Sequence, residues 1–224
     1  KRRIIRLHPM VIMGSIVGAA FFYFQESPCF PPIENTSVGT MLLVMLLGCT
    51  LLPLPLKFDI RGWTEMHPLN GPAWSLYYEY IGNILYALFV RKFNKVALSV
   101  LVFVAGCFTV YRCLTAPAGD IVGGWALNWE QQYVGMVRLM YPFFGGLLLS
   151  RLGWLIRLEK RAFWWCSLLI VVVLSIPRIG GEDGYWMNGL YEAFCIICVF
   201  PVIVSMGAGD RKSTRLNSSH SAVS

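Results

Sequence analysis

The 224-residue chain carries 19 lysines and arginines against 12 aspartates and glutamates, and it is 56% hydrophobic with only 14% charged residues. A soluble domain of this size carries about 25% charged residues, so an ordinary soluble enzyme or binding module is excluded. The net charge of +7 does not point to nucleic acid, because the basic residues cluster in short loops beside apolar blocks and form no basic face with interleaved aromatics.

The apolar residues fall into seven blocks, at about 7–24, 38–54, 73–90, 96–113, 133–150, 162–177 and 187–206. A spanning helix needs roughly 17–25 apolar residues. The fold expected is therefore all-α, a polytopic transmembrane helical bundle of about seven membrane segments lying in membrane lipid. No signal peptide opens the chain. "KRRIIR" reads instead as the cytoplasmic flank of an internal span, so the chain is expected to begin within a longer protein.

The charges beside the blocks give a topology. Residues 91–95 ("RKFNK") and 151–161 are basic and belong inside, whereas 114–132 and 178–186 carry acidic residues and belong outside. With residues 1–6 also inside, parity fails by one crossing before Ala73. The block 38–54 is short and closes on Pro53 and Pro55, which break a helix. A partial, re-entrant entry within 38–70 restores parity. Irregular backbone at membrane depth is tolerated only against protein or a water-filled cavity.

The third block opens with "NGPAWSLYYEY". Asn70 can cap a helix, Gly71 permits a sharp approach, and Pro72 suits the first turn. Ser75 and Glu79 are four apart and share one helical face beside Trp74. A carboxylate inside a span costs roughly 2.5–3.5 kcal/mol on insertion scales, so Glu79 is a candidate functional residue facing the bundle interior. Arg138, inside the fifth block, is a second such charge, and Glu79 is its candidate partner. Arg2, Arg3 and Arg6 lie at the cytoplasmic boundary, where guanidinium groups could bind phosphates or simply anchor the topology.

The remaining features read as structural. The seven cysteines are odd in number and mostly lie in apolar segments, as small buried hydrophobes do. Cys195 and Cys198 form a CxxC with no second pair or histidine nearby, so no metal site is expected. His8 and His67 read first as interfacial histidines, with a site role for each as the alternative. Tyr23, Trp125, Trp129, Trp154, Trp164, Trp165 and Trp186 near the block ends match an aromatic belt. A transporter or flippase of lipid-linked sugars would also need buried charge, but usually shows an internal repeat, and none is evident. A structural membrane partner would have little use for Glu79 and Arg138.

In order and spacing, "RRIIRLHP" (Arg2–Pro9), "WSLYYEYIGNILY" (Trp74–Tyr86) and "RLMYPFFGG" (Arg138–Gly146) resemble the motifs of the acyltransferase-3 family of integral membrane O-acyltransferases. The resemblance covers most of residues 1–206. It implies transfer of an acyl group, expected to be acetyl, from acetyl-CoA to a hydroxyl of a cell-surface or lipid-linked carbohydrate, in a multi-pass protein of a bacterial inner membrane. No cofactor beyond that acyl-CoA donor is implied. In site terms it implies Glu79 and Arg138 as catalytic residues, with Arg2, Arg3, Arg6, Trp74 and Ser75 binding substrate. The family's general base, a histidine, is expected on a first helix that this chain does not contain. The usual late helix is missing as well. Residues 1–209 are thus expected to be a partial membrane acyltransferase domain, inactive as a piece. Residues 210–224, polar and Ser-rich, are expected to be a disordered, non-native tail.

Overall fold

A computed structural model describes residues 2–25, 31–158, 161–179 and 184–209, with side chains described from Leu7 onward in the first helix. The side chains of Arg2, Arg3 and Arg6 and the tail 210–224 lie outside the described residues. The helices are α1 (Arg2–Phe24), α2 (Pro31–Glu34), α3 (Val38–Gly48), α4 (Ala73–Leu88), α5 (Lys95–Thr115), α6 (Trp129–Leu152), α7 (Ala162–Ser175) and α8 (Tyr185–Phe194). The last runs on through a π turn at Cys195–Val199 and remains apolar and helical to Gly209. No strand occurs among the described residues, and the chain is an all-helical membrane protein.

Each of the seven apolar blocks contains a helix, but seven spans is more than the structure shows. Among the described residues four helices are long and apolar enough to cross: Leu7–Phe24, Lys95–Thr115, Trp129–Leu152 and Tyr185–Gly209. The correction comes from length. α3 has 11 residues, about 16 Å of helix against a hydrocarbon core of about 30 Å. α7 has 14 residues and α4 has 16.

The chain divides into two compact units, residues 1–91 with 122–139, and residues 92–121 with 140–224. In the first, Ser37 starts α3 by accepting the Thr40 amide at 3.2 Å. α3 then packs along α1, and its last residue, Gly48, lies against Ser15 of α1. There the helix stops. Leu51 takes a left-handed conformation (φ 62) and packs with Val11 and Ala73. Val11 is thirteen residues before the C-terminal end of α1 at Phe24, about 20 Å along the helix.

From that depth the chain climbs back. Leu54 and Ile60 join Phe22, Ile33, Met41 and Val44 in one apolar cluster, and Gly62 lies against Pro32 of α2. It then descends a second time. The Leu69 carbonyl approaches so close to Gly18 that a Cβ there would sit 1.7 Å away, and the Asn70 side chain donates to the Val11 carbonyl at 3.4 Å. α4 begins at this level. Asn70 is therefore no N-cap: its amide bonds to α1, while Pro72 occupies the cap position without a side-chain bond.

The second unit is more regular. Asn94 caps α5 by accepting the Ala97 amide at 2.7 Å. α8 closes on α5 where Gly189 meets the Cys113 carbonyl. The π turn is braced by the Tyr141 hydroxyl, which donates to the Ile197 carbonyl at 3.0 Å. The segments that follow α5 and α7 are tied by Arg178, which donates to Asp120 and to the Ala118 carbonyl, each at 2.8 Å.

Candidate active site

The site is built in the first unit where the second descent turns into α4. Loop 122–128 folds against it. The Met66 amide donates to the Trp125 carbonyl at 2.7 Å, and the Leu54 amide to the Met66 carbonyl at 2.9 Å. Gly123 and Gly124 hold positive φ (143 and 106), which glycine alone adopts without strain. A Cβ on Gly124 would also meet the Gly135 Cα at 3.1 Å and the Trp74 ring at 3.2 Å. The first turn of α6 fixes this loop, because Gln131 accepts the Gly124 amide at 2.6 Å and Gln132 donates to the Ala126 carbonyl at 2.8 Å.

Arg138 and Trp74 come together here. The guanidinium carbon lies 4.6 Å from the centre of the Trp74 ring, and Nη1 donates to the Gly123 carbonyl at 2.6 Å. A cation held over an indole face in a desolvated place is stabilised by about 2 kcal/mol. From Trp74 an aromatic series leads inward. Tyr78 meets Trp74 edge-on at 6.2 Å, Tyr77 meets Tyr78 at 5.1 Å, and His67 meets Tyr77 at 6.3 Å. Tyr78 can lie there only because residue 135 is glycine, where a Cβ would fall 2.0 Å from its ring.

The other predicted residues lie nearby on α4. Glu79 is half-buried, and its backbone carbonyl accepts from the Asn83 side chain at 2.7 Å. Ser75 is exposed, and its hydroxyl donates to the Pro72 carbonyl at 2.8 Å, so it points to a different environment from the Trp74 ring. Ahead of the helix, Arg61 pairs with Glu65 at 3.2 Å and donates to the Pro68 carbonyl at 3.3 Å. Burial pushes the Glu65 carboxyl up, against the pull of Arg61.

His67 corrects its reading as an interfacial residue. It is 3% exposed, and neither ring nitrogen has a hydrogen-bond partner. The Tyr78 hydroxyl is likewise buried without one. Gly123, Gly124 and Gly135 also escaped the sequence reading. The Gly-Gly pair beside Trp125 was the one available signal, since paired glycines mark backbone that must approach something closely. A separate hollow of about 410 Å³ opens at the C-terminal end of α1, where Tyr23, Gln25, Glu34 and Thr36 contribute polar groups to an otherwise apolar lining.

Comparison with known proteins supplies the context for this geometry. Neither the curated proteins nor the solved structures yield a match. A family model does, over nearly the whole chain. It is the acyltransferase-domain model Acyl_transf_3, it matches residues 1–220, and the chain belongs to that acyltransferase-3 family of membrane acyltransferases.

Proposed function

We propose that this acyltransferase moves an acetyl group from acetyl-CoA to a hydroxyl of a cell-surface or lipid-linked carbohydrate, in the inner membrane of a bacterium. The carrying observation is Arg138, a cation inside a span, lodged over Trp74 and tied to the Gly123 carbonyl. A fixed guanidinium in a water-poor site is suited to the negative charge that develops on a thioester carbonyl oxygen during acyl transfer. Loss of one such donor typically costs about 2.7–4 kcal/mol of barrier lowering.

In the reaction the acceptor oxygen bonds to the acetyl carbon, the carbon–sulfur bond breaks, and the hydroxyl proton passes by way of a base to the departing thiolate. Glu79, on the same helix as Trp74, orients that base or the acceptor hydroxyl. Arg2, Arg3 and Arg6, on the cytoplasmic flank of α1, hold the phosphates of coenzyme A through charge-assisted bonds. The carbohydrate class of the acceptor is supported by the resemblance of the three motifs to membrane O-acyltransferases that modify glycans. Membership of a transferase family favours this reading over a sugar transporter.

The test is release of free CoA thiol from acetyl-CoA by the purified full-length protein in nanodiscs, with and without added lipid-linked or free glycans. Glycan-stimulated release with acetyl recovered on the glycan supports the reading. Transfer from a different acyl donor, or to an amine, would overturn its finer part.

A further inference from the structure

The unpartnered imidazole of His67 has no role in the mechanism above. We propose that His67 is a binding residue for a hydroxyl group of a polyol ligand, so that the segment 66–70 forms part of the acceptor site. The proposal rests on the acyl-transfer reading only in naming that ligand the acceptor.

Three observations carry it. His67 lies on the second descent of the irregular segment, just before α4, among residues 66–69, all of them buried. The main chain around it is held locally: the neighbouring Met66 amide bonds to the Trp125 carbonyl, and the His67 carbonyl accepts the Asn70 amide at 3.0 Å. Its side chain, by contrast, has two buried polar atoms and no bond from either. Buried polar atoms in folded proteins are nearly always paired, so an orphan of this kind calls for an explanation.

The chemistry of the missing partner follows from the ring. A neutral imidazole presents one N–H donor and one bare nitrogen acceptor. A hydroxyl is both donor and acceptor and complements either atom. A carboxylate or phosphate could meet only the donor, and an ammonium only the acceptor. The setting agrees. Tyr77 packs edge-on against His67, Tyr78 packs on Tyr77, and the Tyr78 hydroxyl is a second buried group with no partner. An aromatic wall with unpaired hydroxyl-compatible atoms suits a sugar-like molecule better than an acyl chain.

The first measurement needs no knowledge of the natural acceptor. Diethyl pyrocarbonate acylates neutral imidazole, and peptide mass mapping reports each histidine separately. In the whole protein in nanodiscs, His67 should react despite its burial, because a path for ligand also admits the reagent. Glycerol, as a polyol probe, should slow that reaction by about threefold near twice its dissociation constant. 1,2-Dimethoxyethane, of similar size but without a hydroxyl, should not. A His67 inert in the native protein is a closed structural histidine or is met by an internal water only, and overturns the proposal. Equal protection by both probes overturns it too.

The second measurement is kinetic. His67→Phe should raise KM for a glycan acceptor about tenfold or more while KM for acetyl-CoA stays unchanged, and His67→Gln, which keeps a donor and an acceptor, should recover part of the loss. Equal changes for donor and acceptor would contradict a binding role. Should the parent protein release no CoA from acetyl-CoA, the proposed function fails, and the labelling result still decides His67. Should His67→Phe not fold, labelling of the parent protein remains decisive.

Discussion

The regions on either side of Arg91 handle the membrane problem differently. From Lys92 onward α5, α6 and the long α8 are continuous helices, interrupted only in their regularity by the π turn at Cys195–Val199 and by Pro142 in α6, so that most backbone groups pair within each segment. Between Gly48 and Ala73 the chain has no α-helix, yet it reaches as deep along α1 as Val11 and does so twice. Such backbone is expensive in a bilayer unless protein shields it. Here the shielding is visible: the Met66 and Leu54 amides are paired, Asp59 accepts the amides of residues 61–64, and Leu69 is pressed against Gly18. On the proposed function, regular helices form the scaffold, while irregular backbone is kept where a polar molecule is to be met. Trp74, Glu79, Arg138 and His67 all belong to the irregular unit.

The largest expected effect breaks the packing of that unit. Gly18→Ala would drive a methyl group into the Leu69 carbonyl, a backbone atom that cannot swing away. Overpacking of this kind typically costs about 1–3 kcal/mol, and here the upper end or complete loss of folded protein is expected in thermal unfolding. Gly146→Ala is the control, since nothing lies within 4 Å of its new methyl, and its melting temperature should stay at the parental value.

Next comes the two-fold descent itself. Single cysteines replacing the half-buried Thr36 and the exposed Lys57 should react with a membrane-impermeant maleimide from the same side. Gly62 touching Pro32 requires it, because both ends of the excursion then lie at one level. Labelling from opposite faces would make α3 the start of an ordinary span. A smaller change sharpens the contrast. Arg138→Lys keeps charge but loses the flat face on Trp74 and the fixed fork, and should lower turnover about 100-fold while the protein still inserts. The smallest effect lies in the regular unit: Tyr141→Phe removes one donor to Ile197, costs about 1 kcal/mol of stability, and should leave transfer untouched.

Much of this was legible in the sequence. Block lengths and hydropathy gave every long helix, since a span is a local property of about twenty consecutive residues. The failed parity before Ala73 pointed to the irregular segment, because charge asymmetry counts crossings without knowing the path. Arg138 and Trp74 could be named singly, as charge and motif, but not as a pair. Their meeting depends on Gly123, Gly124 and Gly135, whose importance lies in atoms they lack. Asn70 was misread for a related reason. An asparagine before a helix is a cap by local rules, and only the approach of α1 turned its amide to Val11. His67 could be placed in the loop before the motif, as an interfacial histidine or a site residue, but not as a buried one, because burial without a partner is a fact of tertiary packing.

The central claim is that the polar groups of the irregular unit carry acyl transfer rather than structure, and Glu79→Gln tests it most directly. Glutamine keeps the volume and the hydrogen-bonding capacity and removes the charge. The measurement is acetyl transfer per folded molecule, with acetyl-CoA affinity and melting temperature taken on the same sample. The account predicts that turnover falls by about 100-fold or more while donor affinity and melting temperature stay near parental values. Turnover near the parental rate, in protein of parental stability, would contradict it and make the carboxylate a packing element of α4.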